Sequence, residues 1–269
     1  MNKTIVLIPH YNNLTDLCKT LNSIKHKDGI DVLVVDDGSA IDQKPSLKVL
    51  EDELNPRVNI EILRLENNYG ITEALNYGLD YILKQRKHKF VARIDCGDVC
   101  VSNRFKIQED YLIKNKNIDL VGSWVNWIDS DSGEQVFAKK PPVSHKKVKK
   151  QMTVRCSVIH PSSMYRLSVV DKLGKYPKQY EAAEDYAYFF DIANNGKAAN
   201  IPKFLTSVEN NPKGISLKKR RQQSKSKLKV ILDHSPKNLN LLYSVPYNLV
   251  LMNMPTSTVL KMKMKIFKN

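Results

Sequence analysis

The chain has 269 residues, with 43 Lys and Arg against 28 Asp and Glu, a formal net charge of +15 and a hydrophobic fraction of 42%. At that length a core stands without disulfide staples, and Cys18, Cys96, Cys100 and Cys156 include no CxxC pair, which argues against a disulfide-rich secreted module or a zinc site. The most apolar stretch, 243–260, is broken by Pro246, Asn248, Asn253 and Pro255, which argues against a membrane span, and Met1 leads into a short apolar strand rather than a leader, so reduced thiols and a cytoplasmic location are expected.

In chain order, Thr4 to Ile8 is a buried-strand run, and Leu14, Leu17, Cys18, Leu21 and Ile24 mark one face of a helix. Asp31 to Val35 is the next strand, ended by Asp37-Gly38-Ser39, which is turn chemistry. Asn59 to Leu65 reads as a third strand, followed by a helix with Leu75, Leu79 and Ile82 on one face, and Lys89 to Ile94 as a fourth. Strands alternating with helices imply a parallel sheet and an α/β fold. The pattern then turns mixed. Asn103 to Asn115 is helical, Ile118 to Ile128 extended with Trp124 and Trp127, and Asp129 to Gly133 a hairpin turn. Met152 to Ile159 is expected as a strand, and Glu184 to Ala193 as a helix stopped by a left-handed cap at Asn195-Gly196.

Around Asn210 to Gly214 the globular pattern gives way to a basic tail, so the expected division is a domain over 1–210 and an extension over 211–269. From Lys218 to Asn269 there are twelve Lys and Arg and one acid, Asp233, a net +11, while the other 217 residues carry only +4. An anionic membrane surface fits such a tail, because each basic residue near acidic headgroups gains about 1 kcal/mol and the interspersed Leu, Met, Tyr and Phe can enter the interface. A solvated helical face is the plain alternative. With no zinc-finger spacing and no RNA-recognition motif, nucleic acid is not the expected partner.

Ligands of open α/β sheets bind beyond the carboxyl ends of the strands. Here those ends read Pro9-His10-Tyr11-Asn12, Asp36-Asp37-Gly38-Ser39, Asn67-Asn68-Tyr69-Gly70 and Asp95-Cys96-Gly97-Asp98. The first strand is not followed by GxGxxG, and no GxxxxGK[ST] occurs, so neither a dinucleotide-binding Rossmann domain nor a P-loop is indicated. What remains is a carboxylate-rich edge. Such acids can accept hydrogen bonds from a base or ribose and can hold a hard divalent cation against phosphate oxygens.

The strings VLIPHYNN, VLVVDDGS, NNYGITEALNYGL, VARIDCGDVCVSNRFKIQ, VGSWVNWID, IHPSSMYR and EDYAYFFDIANNG, in that order over about residues 3–210, resemble glycosyltransferase family 2, the inverting GT-A enzymes that bacteria use on surface polysaccharides. The resemblance implies a Rossmann-like, mostly parallel sheet with a mixed second half, followed here by the basic helical extension. It places Pro9 and Tyr11 beside the nucleotide base, Asp36 and Asp37 at the uracil or ribose, and Asn68 and Gly70 in the loop approaching the donor, with Ala74 and Asn76 on the next helix. Arg93 and Asp95 open the family's Arg-x-Asp-x-Asp-Asp segment, whose last acid, Asp98, holds Mn2+ or Mg2+. Glu184-Asp185 matches the motif supplying the catalytic base, Asp185, and the helix start favours that base's ionised form. An acceptor hydroxyl deprotonated by one carboxylate needs no protein nucleophile. His160, Glu184 and Trp124 are candidates for acceptor or phosphate contacts, with a structural histidine and aromatic packing as the plain readings of His160 and Trp124. The expected activity is transfer of a sugar from a UDP-sugar to a glycan or lipid-linked acceptor, at the cytoplasmic face of the membrane. One departure stands out. Where the family has Asp-Ala-Asp-Asp, this chain has Asp95-Cys96-Gly97-Asp98, so a middle acid is missing, which leaves a degenerate binding module as the alternative.

Overall fold

The computed structural model describes residues 3–51, 58–130, 132–209, 220–236, 239–255, 258, 259 and 262. Four strands form its parallel half: β1 (Thr4–His10), β2 (Ile30–Asp36), β3 (Val58–Arg64) and β4 (Phe90–Arg93). Helices α1 (Leu14–Asn22), α2 (Leu47–Glu51) and α3 (Ile71–Gln85) connect them. β1 pairs in parallel with both β2 and β4, and β2 with β3. The second half adds β5 (Val99–Cys100), α4 (Arg104–Lys114), β6 (Leu120–Ile128), β7 (Gln135–Lys139), α5 (His145–Met152), β8 (Met164–Arg166), α6 (Leu167–Leu173), α7 (Glu184–Asn195) and β9 (Ala198–Glu209). Among the described residues the nine strands join one sheet of order β3-β2-β1-β4-β8-β6-β9-β5, with β7 on β6. β8 runs antiparallel to both β4 and β6, while β6 and β9 are parallel.

The period of two in a strand explains why the central runs are apolar at every position. Ile5, Leu7, Leu33, Val35 and Val91 point to one face, against Leu75 and Leu79 of α3 and Phe189 and Phe190 of α7. Val6, Ile8, Val32, Val34 and Ala92 point to the other, against Leu17 and Leu21 of α1 and Phe105 and Leu112 of α4. Both faces are covered, as a parallel sheet requires.

Two expectations are corrected. Residues 152–159 are not a strand: α5 ends at Met152, and the chain then turns irregularly. Among the described residues no strand pairs with it in a ladder. The Ser157 hydroxyl instead donates to the Val148 carbonyl at 3.0 Å, and the Asn200 amide donates to the Ser157 carbonyl at 3.0 Å. Gly196 does stop α7, but at φ −153°, extended rather than left-handed. Its reason is space: a Cβ there would lie 2.3 Å from Asp119 Oδ2, the oxygen that accepts the Lys197 N–H at 2.9 Å. The hairpin turn is present as Gly133 N–H to the Asp129 carbonyl at 3.0 Å, with Asp131 outside the described residues.

The change of pattern expected at 210–214 also lies outside the described residues. Beyond it come α8 (Arg220–His234) and α9 (Leu239–Asn253). α8 packs on α7: Val230 and Ile231 are buried in the cluster that holds Phe189 and Phe190. The Tyr180 hydroxyl donates to Asp233 at 2.9 Å, and the Asn194 amide donates to the His234 carbonyl at 2.9 Å. Among the described residues no helix is long and apolar enough to cross a membrane.

Candidate active site

The strand order departs in both directions from β1, so the carboxyl ends of β1, β2 and β4 flank a topological switch point. After β1, His10 is buried and donates from Nδ1 to Asp36 Oδ1 at 3.2 Å, because its Nε2 accepts the Asn13 N–H at 3.3 Å. Asp36 Oδ1 also accepts the Ser39 N–H at 3.3 Å, whereas buried Oδ2 has no partner among the described residues. Asp37 builds the neighbouring loop. Its Oδ1 accepts the Tyr69 N–H and its Oδ2 the Gly70 N–H, each at 2.8 Å. Burial nevertheless pushes the Asp37 carboxyl up, against the lowering effect of those two amides. Gly38 permits this closeness: it has φ +72°, and a Cβ would sit 2.4 Å from the Asn67 carbonyl carbon. Asn68, Tyr69 and Tyr11 stay exposed around the loop, and Pro9 lies half-buried at the end of β1.

After β4 the turn Asp95-Cys96-Gly97-Asp98 is held from α1. The Thr20 hydroxyl accepts the Gly97 N–H at 2.9 Å and donates to the Asp98 carbonyl at 2.9 Å, and Cys96 Sγ donates to the Pro9 carbonyl at 3.4 Å. Buried Arg93 pairs with Asp95. Burial works against the Arg93 charge, but Asp95 raises its pKa on balance. Asp98 is buried, with Oδ1 accepting the Glu209 N–H at 3.1 Å, and burial followed by the Asp95 charge holds its carboxyl well above the usual range.

The missing acid has a structural counterpart. Gly97 has φ +94°, and a Cβ there would lie 2.8 Å from Glu209 Oε2. A carboxylate from the end of β9 therefore fills the space of an acidic side chain at 97. It pairs with Lys19 of α1.

From the opposite side comes the start of α7. Glu184 is buried with Oε2 unpartnered among the described residues, and burial, then the Asp185 charge, push its carboxyl up to about 7. Burial also raises Asp185, outweighing the Tyr186 amide and the Lys227 charge, so the helix start does not win there as expected. The charges of Arg93 and Asp95 act on both acids, which joins the α7 pair to the end of β4. His160 is half-buried in an aromatic nest. Its Nε2 meets the Tyr176 hydroxyl at 3.1 Å, its ring packs edge-on to Phe189, and burial and Arg93 keep it well below the ordinary histidine range. Trp124 packs on Phe204 with ring centroids 5.5 Å apart, and Lys140 lies over its face. Asn76 is buried in α3 and brackets Tyr176, donating to its carbonyl and accepting its N–H, both at 2.9 Å.

A hard cation suits this arrangement. Among the described residues no three His, Cys, Asp or Glu side chains converge as a metal cage. A donor-bound Mg2+ or Mn2+ needs only one or two carboxylates, with phosphate oxygens completing the set, and Asp98 beside Asp95 offers that chemistry. Sequence reading missed Thr20, Glu209 and the buried pair Arg104 and Gln108. Arg104 donates to the Arg93 carbonyl at 2.6 Å, and Gln108 donates to the Ser162 carbonyl at 2.8 Å. Two polar residues four apart on the inward face of α4 were the available signal for that pair.

Residues 5–174 match the model of a family described as Glycosyl transferase family 2. An Escherichia coli protein named UDP-Gal:alpha-D-GlcNAc-diphosphoundecaprenol beta-1,3-galactosyltransferase is 29% identical over 179 residues, 66% of this chain and 62% of that protein. The chain thus spans less than two thirds of that relative's length. S. aureus TarS in complex with UDP-GlcNAc aligns with TM-score 0.64 at 18% identity over 92% of this chain and 71% of its own. The mannosyltransferase PcManGT from Pyrobaculum calidifontis, in complex with GDP-Man and Mn2+, aligns with TM-score 0.65 at 12% identity over 93% of this chain and 69% of its own. The shared architecture is the GT-A fold.

Proposed function

Since the chain belongs to glycosyl transferase family 2, we propose that it is an inverting glycosyltransferase that moves a sugar from a UDP-linked donor to a hydroxyl of a glycan or lipid-linked acceptor in surface-polysaccharide assembly. The observation that carries this reading is the joining of two acid sets: Glu184 and Asp185 on α7 lie within electrostatic reach of Arg93 and Asp95 at the end of β4. The UDP-GlcNAc in the TarS structure and the diphosphoundecaprenol in the E. coli relative's name support the classes of donor and acceptor.

In this reading Pro9 and Tyr11 border the base, and Asp36 and Asp37 lie at the base and ribose. Each Asp37 oxygen already bonded to an amide keeps a second lone pair for a donor hydroxyl or imide. Asn68 and Gly70 form the loop that approaches the donor, and Arg93 orients Asp95 for donor binding. Asp98 would hold a divalent cation, Mn2+ or Mg2+, which would supply charge neutralisation for the departing diphosphate. Asp185 takes the proton of the acceptor hydroxyl as its oxygen attacks the anomeric carbon opposite the leaving nucleotide. Its raised pKa makes it a stronger base, and Glu184, protonated over part of the neutral range and with Oε2 unpartnered among the described residues, offers an O–H to a bound substrate. The basic extension holds the enzyme peripherally at the cytoplasmic face of the membrane, where a lipid-linked acceptor is presented.

The test is a binding and hydrolysis screen of UDP-, GDP-, CDP- and dTDP-sugars with and without Mn2+. Metal-dependent release of UDP that is lost in Asp98→Ala, and reduced in Asp185→Asn with binding retained, is the expected result. Nucleotide binding with no turnover on a broad acceptor panel would instead make the chain a degenerate binding module.

A further inference from the structure

The second helix of the extension turns an apolar face to solvent. α9 runs Leu239–Asn253 without a single Asp, Glu, Lys or Arg. Its inward face is mixed: Leu241 packs on the core and Val245 and Leu251 are half-buried, but Ser244 is fully buried, and the Asn248 amide donates to the Val154 carbonyl at 3.1 Å and to the Ser244 carbonyl at 2.8 Å. Its outward face is apolar. Leu242, Tyr243, Leu249 and Val250 are 73%, 64%, 39% and 54% exposed, and Pro246 between them is exposed as well. These positions fall at i, i+1, i+4, i+7 and i+8, which is one stripe of an α-helix. A water-facing helix normally shows the reverse pattern, and a contiguous exposed apolar stripe marks a contact surface.

The helix is also anchored to the rest of the fold. Arg220, at the start of α8, donates to the Leu251 carbonyl at 2.6 Å and to the Met254 carbonyl at 2.7 Å, closing the carboxyl end of α9. The stripe is thus presented on a fixed helical hairpin whose α8 exposes Arg221 and Lys225.

We propose that the outward face of α9 inserts into the interfacial layer of an anionic bilayer, lying in its plane. Charge selects this occupant: the segment from Lys218 to Asn269 carries +11 with Asp233 as its sole acid, matching a surface that is negative throughout rather than a mixed-charge protein face. Length sets the geometry. Fifteen residues of helix span about 22 Å, short of the roughly 30 Å hydrocarbon core, so the helix lies along the interface instead of crossing it. An apolar stripe that includes Tyr243, on an extension rich in Lys and Arg, is the chemistry of an interfacial helix. The inference rests on the reading that the extension holds the enzyme at the membrane, and adds that apolar insertion, not charge alone, does the holding.

The test is flotation of the full chain with vesicles of phosphatidylcholine alone and of phosphatidylcholine with 30% phosphatidylglycerol. Three proteins are compared: wild type, the fourfold variant Leu242→Ser, Tyr243→Ser, Leu249→Ser and Val250→Ser, and the charge variant Arg221→Gln with Lys225→Gln. All six substituted positions are exposed, so thermal melting and UDP binding should match wild type. Wild type is expected to float with the anionic vesicles. The fourfold variant should lose on the order of tenfold or more in partitioning at low salt, whereas the charge variant should lose mainly the preference for anionic vesicles. A fourfold variant that floats like wild type overturns the insertion while leaving electrostatic attachment standing. Failure of wild type to float overturns both. If wild type is a dimer by light scattering and the fourfold variant a monomer, with equal flotation, the face joins two copies and the proposal falls.

Discussion

Restoring the family's acid at position 97 should damage this protein. In Gly97→Asp two costs arise together. A side chain at φ +94° is strained, at about 1–3 kcal/mol for a non-glycine residue. The new Cβ also lies 2.8 Å from Glu209 Oε2 and 3.2 Å from Glu209 Cδ, so Glu209 must swing away and leave Lys19, or stay and face a second carboxylate. Two unit charges within about 4 Å repel by roughly 4 kcal/mol at an effective dielectric near 20, a figure that proton uptake or a swing of Glu209 reduces. The Lys19 pair adds little, since its lysine is 39% exposed. Gly97→Asp should therefore lose about 2–4 kcal/mol at pH 8, and Gly97→Ala about 1–3 kcal/mol from strain and contact. Adding Glu209→Ala to Gly97→Asp should return the electrostatic part but not the backbone part. Urea unfolding of the four proteins at pH 5 and pH 8, with m-values compared, measures this. The aspartate penalty should shrink at pH 5, where one of the two acids takes a proton. A Gly97→Asp protein as stable as wild type at pH 8 would refute the argument that Glu209 occupies the space of the missing acid.

Glu184 makes stability depend on pH. Its ordinary value of 4.5 is pushed up to about 7 in the fold, so between those limits the folded chain holds a proton that the unfolded chain has released. Its contribution is full below about pH 4.5 and is lost as pH rises through about 7; the urea midpoint of wild type should fall from pH 5 to pH 8 more than that of Glu184→Gln. Asp37→Asn keeps one acceptor but turns an NH2 group against the N–H of Tyr69 or Gly70, so it should cost about 1.5–3 kcal/mol in urea unfolding and weaken UDP binding by calorimetry. In the proposed mechanism Asp185→Asn lowers kcat by about 100-fold or more with KM for the donor little changed, and because burial raises Asp185 the acidic limb of the wild-type pH profile lies above the ordinary aspartate range.

The parallel half was readable because its signals are local. Apolar runs at Thr4 to Ile8 and Asp31 to Val35 end in turn chemistry, and period-two burial on both faces follows from the runs themselves. The strand-end residues came with them, since the ends of β1, β2 and β4 meet once the sheet is parallel. Features made by distant pairs were hidden. Thr20 meets the Asp98 carbonyl across 78 residues, and Glu209 reaches Asp98 across 111, with no spacing rule to link them. Residues 152–159 misled because a β-branched, apolar composition reads as a strand whether or not a partner strand stands beside it. α9 was obscured by Pro246, which a helix tolerates here at the cost of one backbone hydrogen bond.

The seating of α8 on α7 bears on modularity. Val230 and Ile231 are wholly buried against the helix that begins with Glu184 and Asp185, and Asp191 of that helix pairs with His234. Chimeras that exchange carboxyl-terminal segments between relatives, in order to relocate a glycosyltransferase, would therefore also exchange the backing of its acid pair. In this chain the segment proposed to set location and the helix that carries the proposed base share one core, so on this reading the two traits are inherited together rather than shuffled.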